Sequence, residues 1–315
     1  MKTFLVNDDC THDKPCVATI GFFDGVHRGH QYLIRQVKMA ADNLGMSSMV
    51  ITFNRHPREV LNADYKPEML NTFDEKIYRL SLTNVDNCAV LNFDKELAAM
   101  DAQEFMTKVL RDKLNVHTLI IGYDNHFGHG SNDGFDDYVR YGRKVGIDVV
   151  RAQVFVINGV NVSSSVVRSF LSDGEVEMAA KCLGYPYMLT GRVIDGAHEG
   201  RKLGFPTANL DLGGCNKIIP SGGVYAVKAR LENTVEMKHA MLNIGVRPTL
   251  SSSGKMSVEA HLLHFEDDIY GKELSVSFIH RMREEKKFEN KTELIEQLKA
   301  DEVLVEEQFK KDIEE

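Results

Sequence analysis

No run of about 18 consecutive apolar residues occurs in the 315-residue chain, which excludes a membrane-spanning helix of ordinary length. A basic excess is missing too. With 38 Lys and Arg against 46 Asp and Glu, the net charge is −8, so there is no footprint for sequence-independent nucleic-acid binding, and small anions have to be caught by local sites. The five cysteines (Cys10, Cys16, Cys88, Cys182, Cys215) are odd in number, scattered and never spaced C-x-x-C, which argues against a disulfide framework or a zinc site and for a reduced cytoplasmic location. The opening MKTFLVNDDCTHDK lacks the apolar core and small-residue cleavage site of a signal peptide, so neither export nor membrane insertion is expected. No internal repeat joins the two halves. What remains, with 43% hydrophobic and 27% charged residues, is a globular composition long enough for two domains, each with its own core.

The chain is organised around Thr19 to Tyr32, TIGFFDGVHRGHQY, which reads as a strand end, a glycine-rich turn and a helix start. Gly21, Gly25 and Gly29 let backbone approach a ligand, and His27 and His30 stand one turn apart where helix N–H groups are unpaired. Such a turn favours a phosphate: the amides and the helix dipole attract an anion, and two imidazoles donate hydrogen bonds without permanent charge. Taken alone, H-x-G-H is equally a glycine-containing loop with two surface histidines. The strand–loop–helix setting, with Val17 to Ile20 before it and an amphipathic helix after it, favours the phosphate reading.

In the first half, Leu33, Ile34, Val37, Ala40, Ala41 and Leu44 recur at helical spacing and Gly45 stands ready to end the helix. Short apolar strands are read at Met49 to Phe53, Cys88 to Leu91 and His117 to Ile121, and a longer one at Ile147 to Ile157. Helices fill most of 74 to 115, taken as structural, and Phe135 to Val145. This alternation is that of an open α/β sheet, whose ligands bind beyond the carboxyl ends of the strands. After those ends come Thr52-Phe53-Asn54-Arg55-His56-Pro57, then Gly122-Tyr123-Asp124-Asn125-His126-Phe127-Gly128, then Ser163-Ser164-Ser165-Val166-Val167-Arg168. Serines at a helix start cap the backbone or bind phosphate, and an arginine one turn on offers a planar fork to phosphate oxygens. Asp124 fits either a ligand contact or a loop amide. Gly184-Tyr185-Pro186 marks the boundary between residues 1–184 and 185–315.

Beyond it the pattern becomes successive strands, at Tyr187 to Ile194, Val224 to Leu231, Val235 to Asn243, Met256 to Phe265 and Glu273 to Met282, which predicts a small antiparallel barrel. A final helix follows, with Leu294, Ile295, Leu298, Val303, Val305 and Phe309 for its packed face. Within this region lie Gly200-Arg201-Lys202-Leu203-Gly204-Phe205-Pro206-Thr207-Ala208-Asn209, Asn243-Ile244-Gly245-Val246-Arg247-Pro248-Thr249, Val258-Glu259-Ala260-His261 and Arg283-x-Glu285-x-x-Phe288. Alternation puts Glu259 and His261 on one side of their strand and Val258, Ala260 and Leu262 on the other.

GFFDGVHRGH resembles the signature of the flavin adenylyltransferases of the H-x-G-H superfamily, and GRKLGFPTAN resembles the riboflavin kinase signature. Taken together, the motifs resemble the bifunctional riboflavin kinase/FAD synthetase family over nearly the whole chain. The resemblance implies a Rossmann-like nucleotidyltransferase domain followed by a riboflavin kinase barrel with a C-terminal helix. It assigns Gly21, Phe23, Asp24, Gly25, His27, His30, Ser163, Ser164 and Arg168 to the ATP of the adenylyltransferase, with His27, His30 and Arg168 catalytic. His56, Asp124 and Asn125 fall on its flavin side; Arg55, Asn125 and His126 depart from the family pattern. In the kinase it assigns Gly200, Lys202, Gly204, Pro206, Thr207 and Asn209 to ATP, Thr207 and Asn209 to Mg²⁺, Arg283 and Phe288 to flavin, and Glu259 as general base. The implied ligands are riboflavin, FMN, FAD and ATP, for a monomer or weak homo-oligomer without nucleic-acid or membrane partners. An adenylyltransferase for another phosphate ester, or a flavin-binding regulator without catalysis, stays as an alternative; a pure binder has little chemical need of His27, His30, Thr207, Asn209 and Glu259 together.

Overall fold

A computed structural model describes residues 1–7, 11–62, 64, 66–123, 127–129, 133–157, 159–196, 198–246 and 256–314. The chain divides into two units, Met1–Ser164 and Ser165–Glu315.

The first unit is built on six parallel strands: β1 (Lys2–Val6), β2 (Cys16–Ile20), β3 (Ser47–Phe53), β4 (Asn87–Leu91), β5 (Val116–Ile121) and β6 (Asp148–Arg151). Their order is β1-β4-β3-β2-β5-β6. All five residues of β2 are buried, because successive side chains point to opposite faces and both faces are covered. Cys16, Ala18 and Ile20 join Met49, Ile51 and Leu119 in one core, under the helices that carry Phe105, Val109, Leu110 and Tyr138. Val17 joins Val50, Val90 and Ile120 in the other, under Leu33, Ile34, Val37 and Ala41 of α1 (Arg28–Leu44). Each fully buried Val, Leu or Ile contributes roughly 1.5–3 kcal/mol. The topology fixes where a ligand goes. From β2 the chain moves to β3 on one side and later returns to β5 on the other, so the crevice of an open α/β sheet opens at the carboxyl end of β2, where Gly21 begins.

Several details differ from the sequence reading. The edge strand β1 was not foreseen. The single strand expected over Ile147 to Ile157 is two pieces, β6 and then β7 (Val156–Ile157) in a hairpin with β8 (Val160–Asn161); between them Gln36 takes the amide and the carbonyl of Gln153 and so replaces a sheet partner. Val235, expected in a strand, is 96% exposed in the loop before Lys238.

The second unit is a closed antiparallel barrel of β9 (Met188–Ile194), β10 (Ala208–Asp211), β11 (Gly223–Leu231), β12 (Lys238–Val246), β13 (Met256–Leu262) and β14 (Glu273–Arg283), in the order β10-β13-β12-β11-β14-β9. Closure removes the exposed edges an open sheet would leave. The helix Lys291–Glu314 buries Val305 and Phe309 against Phe205, Ala226, Met241 and Leu263. Val303, expected on that face, is exposed, since two residues' separation from Val305 turns it about 200° around the helix.

Candidate active sites

The turn after β2 is wound tightly. Phe23 has φ 57° and Val26 φ 37°, with Gly25 at φ 78° between them. A β-branched residue at positive φ is a true outlier, and such conformations, at about 1–3 kcal/mol each, persist only where the surroundings enforce them. Here they do. The buried Asp24 carboxylate accepts the amides of Leu70 (3.0 Å) and Asn71 (3.3 Å), its carbonyl accepts the Ser164 hydroxyl at 3.0 Å, and Phe23 is buried beside His30, ring centroids 5.0 Å apart. A Cβ on Gly21 would stand 3.2 Å from the Phe23 ring, and one on Gly29 3.0 Å from the Val162 carbonyl. These glycines are therefore close-approach positions, not punctuation.

His27 caps α1: its Nδ1 accepts the His30 amide at 3.3 Å. An accepting Nδ1 puts the proton of a neutral ring on Nε2, a donor for a ligand. The two imidazoles stack with centroids 3.6 Å apart. Burial, then the neighbouring His27 and Lys76, hold His30 well below the ordinary histidine range, so it stays neutral. Its buried Nδ1 has no hydrogen-bond partner among the described residues, an expense that an incoming acceptor or donor would relieve.

His56 starts the short helix Pro57–Leu61, accepting the Arg58 amide at 3.1 Å, and its ring meets Phe22 edge-on at 4.8 Å. The structure thus brings the H-x-G-H turn and the Thr52–Pro57 segment together. Thr52 reinforces the junction by donating to the Phe22 carbonyl at 3.1 Å. Ser164 opens the helix Ser164–Ser172, which carries Arg168 one turn on, and Ser163 precedes it. Asp124 and Asn125, with His126, lie outside the described residues, as do Arg247 to Thr249.

In the barrel unit two clefts meet. One, of about 420 Å³, is lined by Arg201, Pro206, Thr207, Asn209, Asp268 and Tyr270 among others. The second, of about 270 Å³, includes Gly200, Thr207, Glu259, His261, Arg283 and Phe288 in its lining. Thr207 belongs to both. Register explains why: Glu259 on β13 is paired with Asn209 of β10 on one side and Asn243 of β12 on the other, and cross-strand partners share a face. A row Asn209, Glu259, Asn243 therefore runs from one cleft into the other. Val258, Ala260 and Leu262 are buried and Glu259 and His261 partly exposed, as alternation predicts.

Glycines shape the barrel site as well. A Cβ on Gly200 would stand 2.3 Å from the Phe205 carbonyl, so the G-R-K-L-G-F-P turn closes only without a side chain there, and one on Gly196 would stand 2.2 Å from the Asn209 side chain. Gly204 ends it at φ 86°. Lys202 is exposed on the short helix Glu199–Lys202; its neighbour Arg201 lines the first cleft. Arg283 is engaged by the buried Asp301 of the C-terminal helix in a fork of 3.0 and 2.6 Å, which orients it at the second cleft. Residues not foreseen as site members are Asn243, Asp301, His198 and Tyr270; His198 pairs with Asp195 at 2.8 Å and with the Tyr270 hydroxyl at 3.2 Å. His261, whose Nδ1 lies 2.8 Å from the Pro206 carbonyl, was noted only for its place on the strand.

A glycine-rich turn with two histidines at the switch point of a parallel sheet, and a barrel whose two clefts share a threonine, are the arrangement expected of a two-site nucleotide-dependent transferase. Comparison with known proteins narrows this class. Residues 9–166 match the FAD synthetase family and residues 183–309 the riboflavin kinase family. A Pseudomonas fluorescens bifunctional riboflavin kinase/FMN adenylyltransferase is 37% identical over 91% of both chains, and its Escherichia coli K12 counterpart is 36% identical over 93% of both. A solved Streptococcus pneumoniae protein named as a macrolide-efflux protein superposes with a TM-score of 0.87 at 29% identity, covering 97% of this chain and 99% of that one. Among the described residues no helix is long and apolar enough to cross a membrane. The chain belongs to the bifunctional riboflavin kinase/FAD synthetase family, and the resemblance read from its motifs is borne out over both halves.

Proposed function

We propose that residues 185–315 phosphorylate riboflavin to FMN and that residues 1–184 join FMN to AMP from a second ATP, giving FAD and pyrophosphate. The observation that carries the kinase half is the row Asn209, Glu259, Asn243 running between two clefts that share Thr207. ATP occupies the cleft of Thr207 and Asn209, and flavin the cleft of Arg283 and Phe288. The Glu259 carboxylate accepts the proton of the ribityl 5′-hydroxyl as that oxygen bonds to the γ-phosphorus, and the bond from phosphorus to ADP breaks.

Thr207 and Asn209 suit Mg²⁺: a hydroxyl and an amide carbonyl are hard oxygen ligands, glycines crowd close to both, and this ion takes few protein ligands. No group of three or more His, Cys, Asp or Glu that could hold a metal exists among the described residues. When bound, it neutralises phosphate charge.

In residues 1–184 a phosphate oxygen of FMN attacks the α-phosphorus of ATP and pyrophosphate leaves. His27, His30 and the first-turn amides of α1 hold the nucleotide's phosphates, and Arg168 adds a planar fork. Ser163 and Ser164 support that segment, and His56 borders the flavin side, a role the motif also gives Asp124 and Asn125. Neither step needs a covalent enzyme intermediate; positioning and charge neutralisation supply the rate. We place the protein in the cytoplasm, as a monomer or weak homo-oligomer. The test is to incubate it with Mg²⁺-ATP and either riboflavin or FMN and separate the flavins by chromatography. Riboflavin passing to FMN and then FAD is expected; FMN accumulating with no FAD from either substrate would overturn the adenylyltransferase half.

A further inference from the structure

We propose that Lys76 is a positioning residue of the adenylyltransferase unit, whose ammonium holds the G-F-F-D-G turn against the end of β3 and lends positive charge to the phosphate site. This rests on the reading of that unit as an adenylyltransferase.

Lys76 sits on the helix Phe73–Ser81, fixed at its start by a reciprocal cap between Thr72 and Glu75. The inward positions of that helix are Lys76 and Leu80, so a cation stands where the pattern calls for an apolar residue. It is 3% exposed. Its Nζ donates to the Phe53 carbonyl at 2.8 Å, the Phe22 carbonyl at 3.2 Å and the Thr52 hydroxyl at 3.3 Å. Three donors thus meet three acceptors. Phe22 lies in the turn after β2, and Thr52 and Phe53 end β3, so one nitrogen ties together the two segments that carry His27 and His56. The same nitrogen lies 4.1 Å from the centre of the Phe22 ring, which in turn meets His56.

The burial of this charge is not needed for packing. Three acceptors can be satisfied by neutral groups, and a desolvated cation is costly unless something uses it. The groups facing it are few. Asp24 of the turn and Cys88 of β4 favour its charge, burial opposes it more strongly, and the net result is a lysine pulled down to about 8. Across the turn its field reaches His30 and helps to keep that imidazole neutral. The burial of Cys88 pushes its thiol up to about 11 and His30 is held neutral, whereas burial brings Lys76 down to about 8.

The test compares Lys76→Met with the unchanged protein, measuring FAD formation from FMN and FMN formation from riboflavin between pH 6.5 and 9.5. Lys76→Met is expected to lower kcat/KM for FAD formation about 100-fold, the cost typical of a misplaced reacting group, and to leave riboflavin phosphorylation unchanged. In the unchanged protein kcat/KM for FAD formation should fall above about pH 8, approaching tenfold per pH unit as one proton is lost, a limb absent from the variant. That limb is read without any substitution, so it stands even if the variant folds poorly. A variant within about twofold of the parent, or a parent profile flat through pH 9.5, would overturn the proposal. No FAD from the unchanged protein at any pH would overturn the adenylyltransferase reading, and this inference with it.

Discussion

Under the proposed function the two units hold the phosphates of ATP with opposite materials. In the first, the binding surface is mostly backbone: a strained turn at the carboxyl end of β2, the first amides of α1, and two imidazoles, of which His30 is kept neutral by burial. In the second, it is side chains: Thr207 just before β10, and Asn209 set in register beside Glu259, the proposed base. The difference matches the chemistry. Attack by a phosphate that is already ionised needs no base, only charge neutralisation, whereas a hydroxyl nucleophile needs a proton acceptor at a fixed place. A carboxylate beside the first turn would repel both reacting phosphates, and the acidic residue found there, Asp24, is occupied by the amides of Leu70 and Asn71.

Substitutions sharpen this contrast in descending order of effect. His27→Asn keeps a side-chain acceptor able to cap α1 but removes the imidazole; FAD formation should fall about 100- to 1,000-fold, as for loss of a transition-state donor, with riboflavin phosphorylation unchanged in the same preparation. Gly200→Ala drives a Cβ to 2.3 Å from the Phe205 carbonyl, a backbone atom that cannot swing away. It should cost FMN formation about 100-fold through misplacement of Thr207 and spare FAD formation from FMN. Equal loss of both activities from either change would break the division of labour. Asp301→Asn should weaken the fork to Arg283 and lower the unfolding free energy of the barrel by about 2–3 kcal/mol, since Asp301 is buried while Arg283 is partly exposed. Calorimetry reads that loss, with a rise in the KM for riboflavin if Arg283 bears on flavin.

Much of this was legible in the sequence because both sites sit on short motifs with fixed local geometry. GFFDGVHRGH specifies a turn and a helix start by itself, and Gly45 does end α1, at φ 63°. Alternation in Val258 to Leu262 was enough to point Glu259 away from the core. What could not be read depends on contacts distant in sequence. Strand β10 is four residues long and shows no alternation of its own; it becomes a strand by pairing with β9 and β13, and only that pairing puts Asn209 beside Glu259. Asp301 looks like one more acidic residue on a charged helix until Arg283 arrives from β14. Lys76 lies in the stretch from 74 to 115, whose sequence pattern is that of structural helices. The available signal was a lysine four residues before Leu80, on the apolar stripe of a short helix.

The central claim is that one chain carries two separate reactions, the first of them dependent on a single carboxylate. Glu259→Gln tests it most directly, with riboflavin and FMN offered in turn with Mg²⁺-ATP and the products separated. The account predicts that FMN formation falls by about 100- to 10,000-fold, the range for loss of a general base, while FAD forms from supplied FMN at the parent rate. An equal fall in both would contradict it.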